Sequence, residues 1–236
     1  MWTRRQRQMC IRDRIYSILD VDIQKLMPLT ASQGYKIREE YSDIKEKNIC
    51  DAHGLKQIGG SRTKIDGSDG TVNKSIKNAS GSSTQVHLTT QKHFCEVLDI
   101  DDDSRKFIEL FCGNSTINNN GKDRYHTNQI DGKYLAEFCV FLEKNKFKVV
   151  DLIIRNGFNI THVIYNDIKN DVEYELTYDE IMDRVKDAEW TFLKGGIHLK
   201  LNGKSLFHFQ REGKKKPSNR YNVLWHIHRN LFLCDS

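Results

Sequence analysis

Proline is nearly absent, with two residues in 236, so the chain has no Pro-rich linker and a compact body is expected. The six cysteines (Cys10, Cys50, Cys95, Cys112, Cys139, Cys234) include no C-x-x-C pair. That argues against a zinc ribbon or a secreted disulfide framework, and buried free thiols are the expected state. No stretch approaches the roughly 18–20 apolar residues needed to span a bilayer. A basic start, apolar middle and small-residue cleavage site are also missing. A cytoplasmic protein with no membrane partner is therefore expected. No internal repeat recurs at a period of about 20–50 residues.

Strong charge of one sign is missing too. The formal net charge is +5, but residues 1–14 hold five arginines against one aspartate, which leaves about +1 for the rest. Those fourteen residues lack periodicity and resemble translated adapter sequence, which is set aside in fold reasoning; a basic arm that touches nucleic acid is the alternative. Global charge therefore identifies no partner, and local clusters must do so.

With 38% apolar and 29% charged residues, the remainder reads as one globular domain over 15–236. Apolar spacing of three or four predicts helices at 15–29 and about 32–48. On the second, Glu40 lies on the flank of the face carrying Ile37, Tyr41 and Ile44, so it is the inward-facing acid. Strands are expected at 61–66 and 71–77, then a polar loop at 78–83 and a helix from about Thr89. Further helices are predicted after Ser104, which is read as a cap, and at 134–142 and 147–155. Strands follow at 162–165 and 172–176, and Thr177 to Glu180 forms a capping box. A hairpin turns at Asn202-Gly203, and a last helix is predicted at 222–231. The fold class is α/β, a mixed central sheet flanked by helices.

Two short strands bring together the residues that carry chemistry. Lys64-Ile65-Asp66-Gly67 ends the first and Lys74-Ser75-Ile76-Lys77-Asn78 the second. Asp66 is a candidate ligand for Mg²⁺, which prefers carboxylate and carbonyl oxygens and retains several waters. The backbone carbonyl of Ile76 is a second candidate ligand. Lys77 shares the Asp66 face if the strands pair in register, where its ammonium orients water or steadies a phosphate. At these residues the chain resembles the PD-(D/E)XK nuclease superfamily, which includes many restriction endonucleases. Asp66 matches the first acid, Lys77 matches the lysine, and Ser75 stands where the second acid is expected. The resemblance covers about residues 33–110 and implies a Mg²⁺-dependent endonuclease acting on double-stranded DNA. Glu40 is then the expected replacement carboxylate, and Gln85 a third catalytic contributor that binds the lysine, a water or a phosphate. The alternative is a DNA- or RNA-binding protein without catalysis. Cutting both strands of a duplex favours a homodimer, whose two-fold symmetry matches that of DNA.

Arg211, Lys214, Lys215, Lys216 and Arg220 place five cations within ten residues, a candidate phosphate-contacting loop. The nine histidines suggest no joint site. His226 and His228, two apart on the predicted last helix, point to different faces. The hairpin turn sets His198 opposite Phe207 and His208 opposite Ile197, leaving the two histidines diagonal at best. His87 is expected to pack rather than to contact nucleic acid.

Overall fold

Alternation of apolar and polar side chains organises the C-terminal third. Phe207, Phe209, Trp225 and Ile227 are fully buried, whereas His208, Gln210, His226 and His228 between and beside them are only half-buried. Successive residues of a strand point to opposite faces, so one face of each strand enters the core and the other does not.

The computed structural model describes residues 31–59, 63–113, 124–211 and 221–233, with only the backbone described over 31–40. The chain divides into two units, Met1–His53 and Gly54–Ser236. In the first, a single helix is described, α1 (Ala31–Ala52); the helix expected at 15–29 lies outside the described residues. The second unit begins with strands β1 (Lys56–Gln57), β2 (Gly67–Ser68), β3 (Asn73–Ala79) and β4 (Ser83–Thr89). Helices α2 (Gln91–Val97), α3 (Asp102–Cys112), α4 (Gly132–Lys144) and α5 (Lys146–Ile154) follow. Then come β5 (His162–Asp167), β6 (Val172–Thr177), α6 (Tyr178–Lys186), β7 (Glu189–Leu193), β8 (Gly196–Leu201), β9 (Lys204–Arg211), β10 (Val223–His228) and α7 (Asn230–Leu233).

The class is mixed α/β, as expected, with its strands shared between two sheets. The first sheet has the order β1-β2-β3-β5-β6, antiparallel except for the β3–β5 pair. A parallel pair needs a long crossover, which here holds β4 and helices α2 to α5. The second sheet, β4-β10-β9-β8-β7, is antiparallel throughout. The turn between β3 and β4 joins the two sheets. Its Gly81 carbonyl accepts from the Tyr165 hydroxyl at 2.9 Å, and its Ser82 carbonyl accepts from the Arg229 amide at 2.9 Å. Arg229 also reaches the buried Asp167 carboxylate at 2.6 Å.

Aromatic rings fill the core between the second sheet and the helices. Phe209 stacks on Trp225 with centroids 5.2 Å apart and meets Phe111 edge-on at 5.2 Å. Phe107 stacks on Phe138 at 4.7 Å. Such contacts add about 0.5–1.5 kcal/mol per pair beyond the area they bury. The capping box is present: the Thr177 amide donates to Glu180 Oε2 at 2.7 Å and the Glu180 amide to Thr177 Oγ1 at 3.2 Å. At α3 the cap is Asp101, whose carboxylate accepts the Ser104 amide at 2.8 Å, so Ser104 is not the cap.

The fold departs from expectation at four other places. The expected 61–66 strand is absent over 63–66, its first two residues lying outside the described ones, and β2 forms after it because Asp69 Oδ1 accepts the Thr71 and Val72 amides at 2.8 and 2.7 Å and moves the turn downstream. Residues 83–89, between the expected polar loop and the expected helix, form an unforeseen strand, β4, which carries Gln85, while the helix itself starts at Gln91 with Thr90 as its cap, close to the expected start. The expected helix at 222–231 is strand β10, paired on both sides with β4 and β9. A bulge between Leu199 and Lys200 shifts the hairpin register and sets His198 directly opposite His208, since one extra residue displaces the pairing by one. Strand β7 has no counterpart in the sequence reading.

Close backbone approach makes Gly196 a sensitive position: a Cβ there would lie 2.6 Å from the Phe209 carbonyl oxygen. The neighbouring Gly195 has open space. Gly196→Ala is expected to destabilise by about 1–3 kcal/mol in urea denaturation while Gly195→Ala changes little, and equal effects would contradict this packing.

Candidate functional site

The site forms where β3 loses a neighbour. β2 pairs with β3 only at Gly67–Lys74 and Ser68–Asn73. Further along, the Ile76 amide and carbonyl face the same edge as Lys74. Asp66 fills that edge. Its amide donates to the Lys74 carbonyl at 2.9 Å, and its Oδ2 accepts the Ile76 amide at 2.6 Å. Ser75 and Lys77 alternate with Ile76 along the strand and therefore share a face. The Ser75 hydroxyl and the Lys77 ammonium each lie 3.3 Å from the same Asp66 oxygen. Lys77 Nζ also donates to the Ile76 carbonyl at 3.1 Å.

The Lys77 and Asp66 side chains are only 16% and 15% exposed, so water screens their attraction less than it would a surface pair. The oxygens gathered here are a carboxylate, a main-chain carbonyl and a hydroxyl. These are hard donors, and Mg²⁺ binds through one or two carboxylates while keeping several waters. The donor chemistry fits that ion, with Asp66 as its one described carboxylate.

Lys64, which has no role among the sequence expectations, belongs to the same neighbourhood. Its ammonium donates to the Val86 carbonyl at 2.8 Å and the Ile153 carbonyl at 2.6 Å. Burial, reinforced by the charge of Lys77 and opposed by Asp66, lowers its pKa to about 7. Its position two residues before Asp66 was the available signal.

The remaining candidates are placed differently. Gln85 is exposed on β4, in the other sheet and opposite His226. Its side chain makes no hydrogen bond to Asp66 or Lys77. Glu40 lies within α1, and its side chain is outside the described residues, as are Lys214, Lys215, Lys216 and Arg220. Arg211 is turned toward its own fold, with its guanidinium 3.3 Å from the Tyr125 carbonyl and 5.8 Å from the Phe111 ring centroid. A concavity of about 660 Å³ lined by His93, Phe147, Asp151, Tyr178 and Met182 contains none of these residues.

Histidines form a second constellation, although no joint site among them is expected from the sequence. His198, His208, His226 and His228 occupy one face of β8, β9 and β10. Burial lowers the pKa of His198, His226 and His228 to about 4 each. These rings are therefore neutral at neutral pH.

No family model matches this chain. No curated protein matches it either. Among solved structures, the restriction endonuclease MspI in complex with its cognate DNA is similar to it. The match covers 96% of this chain and 100% of that one, at 11% identity and a TM-score of 0.49. A likeness of that degree assigns no residue, and the functional reading rests on the geometry of the site itself.

His87 packs inside, as expected, and is 4% exposed. Burial, then the charges of Lys64 and His93, push its pKa down to about 3. An unfolded-state imidazole titrates near 6.5, so between these values the unfolded chain holds the extra proton. The stability contribution of neutral His87 is complete above about pH 6.5 and is lost as pH falls toward 3. Between pH 7 and pH 5, His87→Gln is expected to lose about 1–2 kcal/mol less stability than wild type. Equal losses in urea melts at the two pH values would contradict the assignment.

Proposed function

We propose that the chain is a Mg²⁺-dependent endonuclease of restriction type that hydrolyses phosphodiester bonds in double-stranded DNA. The observation that carries this reading is the convergence of the Ile76 amide, Ser75 hydroxyl and Lys77 ammonium on one Asp66 oxygen at the open edge of β3. Asp66 and the Ile76 carbonyl would hold Mg²⁺. When bound, that ion neutralises developing phosphate charge and acidifies water.

The chain's own part is positioning and charge. An ammonium has three donors; Lys77 gives two to Asp66 and Ile76 and directs the third to a non-bridging phosphate oxygen or the attacking water. Because Asp66 and Ile76 already orient the cation, little reorganisation accompanies the reaction. In this reading Gln85 is a phosphate contact. Lys214, Lys215, Lys216 and Arg220 grip the duplex backbone, and a homodimer delivers two sites to the two strands.

Ser75 favours a second reading. It is 1% exposed and offers a neutral hydroxyl where the resemblance calls for an acid. A non-catalytic DNA- or RNA-binding protein needs no carboxylate there. Incubating plasmid DNA with Mg²⁺ separates the readings. The wild type is expected to cut, chelation to stop it, and Asp66→Asn or Lys77→Ala to slow it by about 100-fold or more. Asp66→Asn keeps an acceptor for the Ile76 amide, so it tests charge without dismantling the strand end. Salt-sensitive binding without cutting would favour the second reading, and unchanged cutting by both variants would contradict the first.

A further inference from the structure

The outer face of the second sheet carries a set of imidazoles that neither DNA chemistry nor core packing uses. Cross-strand pairing places His198 opposite His208 and His226 opposite His208, and directly opposed residues share a face. His228 is two residues beyond His226 and so joins them. One ring nitrogen from each of His198, His208 and His228 lies within 4.8 Å of the other two. His208 Nδ1 and His228 Nε2 are only 2.6 Å apart.

From this arrangement we infer that His198, His208 and His228 bind a divalent transition metal of the Zn²⁺ class. The inference is independent of the nuclease reading. Imidazole nitrogen suits Zn²⁺, whereas Mg²⁺ prefers oxygen, so the two sites select different ions. With Zn–N distances of about 2.0–2.1 Å, a tetrahedral site spaces its nitrogens about 3.3 Å apart. The His208–His228 pair reaches that spacing by opening under about 1 Å, and His198 by closing in, both within the reach of side-chain torsions.

The surrounding hydrogen bonds already orient the rings. Ser205 Oγ lies 2.9 Å from His198 Nδ1, and Gln210 Oε1 lies 3.2 Å from His208 Nε2. Accepting those two protons leaves His198 Nε2 and His208 Nδ1 with lone pairs for a metal. Ligand histidines in metal sites typically donate their other nitrogen to an oxygen in this way. Gln210 Nε2 is 3.0 Å from His226 Nε2, and His226 Nδ1 is buried with no hydrogen-bond partner. A polar atom left so is costly, and it marks a face that is not satisfied by protein alone. Three protein ligands leave a fourth position for water.

The test uses the full chain, purified without a histidine tag and stripped with a chelator. Zn²⁺ binding is followed by calorimetry, and Co²⁺ binding by visible absorption. One Zn²⁺ per chain is expected, with the intense visible bands of tetrahedral Co²⁺ and a rise in melting temperature on adding Zn²⁺. His198→Gln and His228→Gln should each weaken Zn²⁺ binding at least tenfold, whereas Asp66→Asn should leave it unchanged. Circular dichroism checks that the variants fold; the wild-type Co²⁺ spectrum and melting shift decide the matter even where a variant does not. No Zn²⁺ uptake, a thiolate-to-Co²⁺ charge-transfer band, or equal affinity in folded histidine variants would overturn the site.

Discussion

A strand that outruns its neighbour must satisfy its amides by other means, and the candidate site depends on how this chain does so. β2 pairs with only the first two residues of β3, and Asp66 takes the Ile76 amide that a longer β2 would have bonded. The same carboxylate is thereby fixed beside Lys77, and the pair stands at a partly exposed edge instead of inside a sheet. Extending β2 by two residues would bury the functional geometry in an ordinary ladder. At its other end β2 is closed by Asp69, whose carboxylate folds the chain back through the Thr71 and Val72 amides.

Much of this was legible in the sequence, and the failures have physical causes. Asp66 and Lys77 could be paired because alternation along a strand is a strict rule, and the hairpin at Asn202-Gly203 because its left-handed turn residues are distinctive. Helices α3 to α6 announced themselves through apolar spacing and polar starts. β10 was misread because Val223-Leu224-Trp225-His226-Ile227-His228 is a short apolar run, whose type periodicity alone does not decide. Its pairing on both sides settled the matter. Register between β8 and β9 was equally out of reach, since a bulge is a tertiary feature that a two-residue turn does not foretell. Those two errors together concealed the histidine face, which exists only if β10 is a strand and the hairpin slips by one. Lys64 was overlooked for a different reason: its neighbourhood is made by carbonyls from β4 and α5, 22 and 89 residues away.

The two sheets divide the chemistry by the softness of their donors. Oxygen ligands and a lysine gather at the edge of the first sheet, a setting for a hard cation and a phosphate. Imidazoles gather on the outer face of the second, a setting for a transition metal. Both follow from the same constraint: each sheet gives one set of side chains to the core, where Phe209 and Trp225 are fully buried, and keeps the alternate set for other uses. The β3–β4 turn, tied to Tyr165 and Arg229, is the point where the sheets are held to each other.

In the proposed nuclease Asp66 is a metal ligand at a phosphodiester. Mn²⁺, a spectroscopic stand-in for Mg²⁺, tests it directly through paramagnetic resonance of the chain bound to duplex DNA. Wild type is expected to hold Mn²⁺ in the presence of duplex, and Asp66→Asn to release it with the fold intact. Equal Mn²⁺ binding by the two proteins would mean that Asp66 is not a metal ligand.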